Sequence, residues 1–180
     1  MKIKVMGKRL HFGDKDIYMI EESIDLAEDL VTAYFNISSE EWRNCYYELK
    51  TLEHLSQVEI TDKAFAQICK YECVKEKDSS PPLFFDLYRI CLQDNKILNA
   101  AKRSLNRIEL KPLMLYIVTH ELSHVARFNK YFKDFSASPE EKEWEEANVH
   151  SITYEMLKST KDRGLTRVLD HYRSYRLELG

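Results

Sequence analysis

Glycine is nearly missing from this chain. Its 180 residues hold four, at Gly7, Gly13, Gly164 and Gly180, so the stretch 14–163 has none. Turns that need positive φ must be few there, and long helices with short links meet that restriction best. Proline is as sparse, at Pro81, Pro82, Pro112 and Pro139. No long apolar run occurs either: Leu113 to Val118 is the clearest, far short of the roughly 20 residues a membrane span needs. The first fifteen residues carry five Lys or Arg without a continuous apolar stretch, so a secretory leader is not expected and a cytoplasmic location is. The four cysteines, Cys45, Cys69, Cys73 and Cys91, are then expected as thiols rather than as a disulfide framework. Charge of one sign is also lacking. The 27 basic and 30 acidic residues intermix to a net −3, which argues against a nucleic-acid or strongly acidic partner.

What is present is the balance of a soluble globular protein, 44% apolar and 32% charged, in a length that suits one domain over residues 1–180. The pattern predicts an all-α or nearly all-α bundle of about six or seven helices. Alternation over Lys2–Met6, a turn at Gly7 and resumption through Arg9 to Phe12 predict a small N-terminal β-hairpin. A helix is expected over about 17–35, with Ile20, Ile24, Ala27, Leu30 and Val31 inward. Ser38 or Ser39 caps a second through Trp42, Tyr46 and Leu49, and Thr61 or Asp62 opens a third toward Val74. Residues 75–82 read as a long loop. Helices follow over about 83–107, 112–133, 139–158 and 165–178. Pro112 fits a first helical turn, and Ser138-Pro139-Glu140-Glu141 combines a cap, a first-position proline and a capping box. Cys69 and Cys73, one turn apart on the third helix, form a minor chelation candidate beside the plainer role of small core residues.

The residues that carry chemistry are His120-Glu121-Leu122-Ser123-His124, an H-E-x-x-H run. Residues four apart on a helix share a face, with Cβ atoms about 5–6 Å apart, so both imidazoles can bind one zinc ion. Glu121 can then take a proton from water held at that ion. Leu115, Val118, Leu122 and Val125 form one apolar stripe, and Met114, Ile117 and Phe128 another. The helix is therefore expected to be central and buried.

A catalytic zinc wants a third protein ligand and an open position. The helices over about 112–158 should form an antiparallel hairpin. At 1.5 Å rise per residue, His124 lies roughly 13 Å and Glu146 roughly 10 Å from the turn; His120 and His150 lie at about 19 and 16 Å. Glu146 and His150, four apart themselves, thus face the histidine pair.

With these residues the chain resembles the gluzincin zinc metallopeptidases, in which H-E-x-x-H supplies two ligands and a general base and a glutamate on a following helix supplies the third. His120, His124 and Glu121 match the first element, and Glu146, 22 residues after His124, matches the second. The resemblance spans about 30 of the 180 residues. It implies one zinc per chain and amide or peptide hydrolysis with Glu121 as base. The family often has an acidic residue four positions after the ligand glutamate; here that position is His150, which leaves it a supporting residue, a fourth ligand or the third ligand itself. Gluzincins also pair extended substrates with the edge strand of a sheet. This sequence offers only the expected hairpin near residues 2–12, so the metal is the firmer expectation than the protease.

Two other readings stand beside this one. A metal-stabilised module without activity would engage His120, His124, Glu146 and His150 together in a closed site. A di-metal carboxylate protein would use Glu121-Leu122-Ser123-His124 as E-x-x-H, but no second copy ends at His54, His150 or His171. Arg127 is read as an oxyanion or carboxylate holder, or as a partner of the acidic neighbouring helix. Tyr116, Tyr131 and Tyr154 are candidates to polarise a carbonyl. Arg167, Arg173 and Arg176 with Tyr172 and Tyr175 read as a solvated face with buried rings rather than a nucleic-acid surface. Substrate and oligomeric state are not legible.

Overall fold

A computed structural model describes residues 10–77, 80–103, 108–131 and 137–177. Helix α1 (Asp14–Phe35) begins where Asp16 accepts a 2.9 Å hydrogen bond from the Gly13 N–H, and Asp14 and Asp16 complement the positive end of the helix dipole. Its buried residues, Ile20, Ser23, Ala27, Val31 and Phe35, recur at helical spacing. It stops at Asn36, which takes the left-handed cap conformation (φ 50°, ψ 55°). Among the described residues that is the one non-glycine position of positive φ, filled by the type that tolerates it best in a glycine-poor chain.

The next segment corrects the all-α expectation. The Ser38/Glu41 capping box is real, but it opens a helix of one turn, α2 (Ser39–Arg43). The chain then enters a strand, β1 (Tyr46–Lys50), where the helix was expected to continue. Residues expected to form a third helix make β2 (Ala66–Lys77), and the expected loop and the first half of the next helix make β3 (Ser80–Leu92). The three strands form a mixed sheet ordered β1-β3-β2, with β1 parallel and β2 antiparallel to β3. The protein is therefore an α/β fold. Ile68, Tyr71, Val74, Phe84, Phe85, Tyr88 and Ile90 are β-branched or aromatic, and their pairing across the sheet outweighs any helical reading of a single run. The expected N-terminal hairpin falls mostly outside the described residues. Leu10 and Phe12 within it are not in a strand; their N–H groups donate to Asn95 and Asp94.

One face of the sheet carries a polar lock. Arg89 on β3 reaches Glu48 of β1 and Glu59, each at 2.6 Å, and Tyr71 of β2 donates to the same Glu59 oxygen. The opposite face supplies Tyr88, Ile90 and Leu92 to the core. Gln93 and Asp94 then staple the connections: Gln93 donates to the Glu59 carbonyl, and Asp94 accepts from Leu52 and Phe12 N–H groups while opening α3 (Asp94–Arg103).

Helix α4 (Leu110–Lys130) is the hub, packed against α1, α3, β2, α5 (Pro139–Leu157) and α6 (Arg163–His171). It is buried nearly all round, as its two apolar stripes predict. Pro112 lies in its first turn and α5 starts from the Ser138/Glu141 capping box, both as expected. Gly164 lets the start of α6 approach that turn: a Cβ there would lie 2.7 Å from Pro112 Cγ. The last helix is shorter than expected and ends at His171; residues 173–175 form a 3₁₀ turn. Among the described residues no helix is long and apolar enough to cross a membrane.

Candidate metal centre

His120 and His124 project from one face of α4, and both are buried. Glu146 reaches them from α5. Its Oε1 lies 3.0 Å from His120 Nε2, its Oε2 3.0 Å from His124 Nε2, and the two Nε2 atoms are 3.2 Å apart. These three residues form the one group of potential metal donors found among the described residues. The spacing is informative. Donors about 2.0–2.1 Å from a tetrahedral zinc stand about 3.3 Å from one another, so the observed triangle nearly matches the edge length a bound ion requires. Two ring nitrogens and a carboxylate are also a zinc-type donor set, and the residues present fit the ion.

Electrostatics distinguish the members. Burial costs the Glu146 carboxylate, yet hydrogen bonds from His120, His124 and His150 outweigh that cost and hold it well below the usual carboxylate range. Burial pushes His120 down to about 4, which keeps its ring neutral and able to coordinate. Burial acts on His124 in the same sense, but the bond to Glu146 and the charge of Glu121 overcome it and raise its affinity for a proton. Nδ1 of both histidines is buried with no partner among the described residues.

Glu121, beside His120, lines a cavity of about 680 Å³ together with both histidines, Glu146 and His150. Burial first of all raises its carboxyl to about 7, where it can exchange a proton near neutrality. The far wall is Phe65, Ala66, Gln67 and Ile68, at the start of β2. Because β2 pairs on one side only among the described residues, the cavity runs between the outer strand of the sheet and the H-E-x-x-H helix. This removes the objection that a substrate-docking strand exists only near the N-terminus.

His150 lies on the same side of α5. Its Nε2 is 3.3 Å from Glu146 Oε1, and its ring centroid is 4.3 Å from that of His120. The four residues expected from the sequence are thus brought together, with His150 outside the mutually close set. Arg127 takes its plainer role: its guanidinium grips Glu145 of α5 with both Nε and Nη2, the latter at 2.9 Å, and so joins the two helices. Of the tyrosines, Tyr116 enters the site, with Oη 2.7 Å from His150 Nδ1. Tyr154 lies under the Arg176 guanidinium, and Tyr131 is exposed. Cys69 and Cys73 lie on β2, not on a helix, and Cys69 faces Cys91 of β3 with the sulfurs 4.0 Å apart. All four cysteines are free thiols.

Sequence reasoning missed the wall formed by β2 and the roof formed by the C-terminal segment. His171, Tyr172 and Tyr175 line the cavity, and Tyr172 stacks on Tyr116 with centroids 4.4 Å apart. The signal available was the aromatic pair three residues apart, which a helix places on one side. Comparisons of the chain with protein-family models, with curated proteins and with solved structures return no match.

Proposed function

We propose that this protein is a zinc-dependent hydrolase of gluzincin type, cleaving amide bonds in extended peptide substrates with one zinc ion per chain. The observation that carries the reading is the triangle of His120 Nε2, His124 Nε2 and Glu146 carboxylate, opening on a cavity that Glu121 shares. A zinc ion held by those three groups would supply a water acidified toward neutrality and a Lewis acid for the carbonyl. Glu121 accepts the proton of the attacking water at its carboxylate and returns it to the leaving amine. The edge of β2 that pairs with no strand among the described residues would offer main-chain donors and acceptors to an extended chain. Tyr172 and Tyr175 add aromatic surface to the cavity wall.

Glu121→Gln tests the assignment, because it keeps the size of the side chain but its amide cannot accept the proton. Elemental analysis should still find one zinc per chain, while hydrolysis of a mixed peptide library, followed by mass spectrometry, should fall by about 10²-fold or more. Equal cleavage by the variant would refute the role of Glu121, and no zinc in the wild-type protein would refute the reading as a whole.

A further inference from the structure

His150 sits one turn beyond Glu146, and its ring is fixed among Tyr116, Tyr172 and Tyr175, at centroid distances of 6.1, 5.6 and 5.4 Å. Its two nitrogens meet different partners. Nδ1 lies 2.7 Å from Tyr116 Oη, and Nε2 lies 3.3 Å from Glu146 Oε1. The direction of the first bond decides the character of the second.

Tyr116 is fully buried, and among the described residues His150 Nδ1 is the one hydrogen-bonding neighbour of its hydroxyl. A phenol can donate or accept. Were it to accept from an Nδ1–H, its own proton would be buried without an acceptor, the costlier arrangement. Donation from Tyr116 to Nδ1 satisfies the phenol and leaves the imidazole proton on Nε2. Nε2 then carries its proton 3.3 Å from Glu146 Oε1, an oxygen of a carboxylate that can only accept.

The geometry points to His150 as an Nε2–H donor that positions Glu146, not as a ligand. For His150 to bind a cation through Nε2, its proton would have to move to Nδ1 and strand the Tyr116 hydroxyl. Nδ1 of His120 and of His124, by contrast, has no partner among the described residues and can take the proton, so the donor set stays at His120, His124 and Glu146, with the remaining position open to the cavity. Exclusion of His150 from the mutually close donor group agrees. This inference rests on the zinc reading above and decides between an open site and the closed four-ligand module. Tyr116 acts one step further out, by setting the tautomer of His150.

The test is a long-range ¹H–¹⁵N correlation spectrum of the full chain at pH 8, metal-free and then loaded with ¹¹³Cd, with His150→Gln used to assign the ring. In both states His150 should show a protonated Nε2 and an unprotonated Nδ1, and cadmium should couple to nitrogens of His120 and His124 alone. Tyr116→Phe should convert the His150 signals to a tautomer mixture. A protonated Nδ1 on His150, or coupling of its Nε2 to cadmium, would overturn the inference. Should the protein bind no metal, the zinc reading fails, and the metal-free spectrum still settles the tautomer. Zinc affinity gives a second readout: His150→Gln, which keeps an N–H donor, should stay within about tenfold of wild type, while His150→Leu should lose about 10–100-fold. Equal losses in the two variants would contradict a donor role.

Discussion

Arg127 lies three residues past His124, close enough to the site to suggest chemistry, yet its guanidinium is spent on Glu145. Both side chains are mostly buried, so removing one leaves the other charged without its main counterion. Arg127→Met should therefore cost about 3 kcal/mol in urea unfolding, and Arg127→Met with Glu145→Leu should recover much of that loss. The pair also keeps α4 and α5 in register. The single variant should accordingly bind zinc more weakly than the double variant. The contrast with Glu121 shows how environment assigns roles on one helix. Glu121 has burial acting on it and, among the described residues, no guanidinium partner like that of Glu145, and its carboxyl rises to about 7. A charged residue near a motif is informative only when its partners are known.

At the scale of elements, two junctions set the frame. Gly164 lies where the first turns of α6 and α4 meet, with room for no side chain against the Pro112 ring. Gly164→Ala should overpack that contact and destabilise by about 1–3 kcal/mol, seen as a lower Tm with the secondary structure unchanged by circular dichroism. Glu59 binds the sheet: Tyr71 and the Ser56 N–H, with Arg89 beside them, hold its carboxyl down at about 2. A depressed carboxyl stabilises the fold above its unfolded value near 4.3, and that contribution is lost as pH falls toward 2. The gap in stability between wild type and Glu59→Gln should thus be largest near neutral pH and shrink between about pH 5 and pH 2. Chemical denaturation at stepped pH measures it; a gap that widened on acidification would contradict the lock.

These elements also show what could be read in advance. Helices α1, α4 and α5 were legible because their apolar residues repeat at 3–4 positions, with Pro112 marking the first turn of α4 and the Ser138/Glu141 capping box the start of α5. The meeting of Glu146 with both histidines was legible for a related reason, a short link and a fixed rise per residue. The sheet was not. In β2 the apolar residues at 68, 69, 71, 73 and 74 satisfy neither period cleanly, and the spacing of Cys69 and Cys73 mimics a helical turn. What makes the segment a strand is its partner β3, and what makes Tyr46–Lys50 a strand is residues 87–91. Such long-range pairing leaves no mark in a local window. The placement of Tyr172 over Tyr116 was hidden likewise, since it depends on how α6 returns to the hub.

Across the whole molecule the site lies at a seam. Its ligand candidates come from the central helix and from α5, while the opposite wall belongs to the sheet, so one ion would tie the hub to a neighbour without crossing the cavity. The core itself does not depend on the ion: α1, β3 and α4 share a continuous apolar cluster including Val31, Ile90, Leu113, Val118 and Leu122. Chelation should consequently lower stability without unfolding the chain at room temperature. For a ligand that binds only the folded state, a free concentration 1,000 times Kd adds about 4 kcal/mol. In a protein of this length each kcal/mol moves Tm by about 2–4 °C, giving a rise of roughly 8–16 °C on zinc loading, reversed by a chelator. Glu121→Gln should keep that rise, because it leaves the three donors in place, and His124→Gln should lose most of it. A zinc-induced shift retained in full by His124→Gln would place the ion elsewhere in the protein.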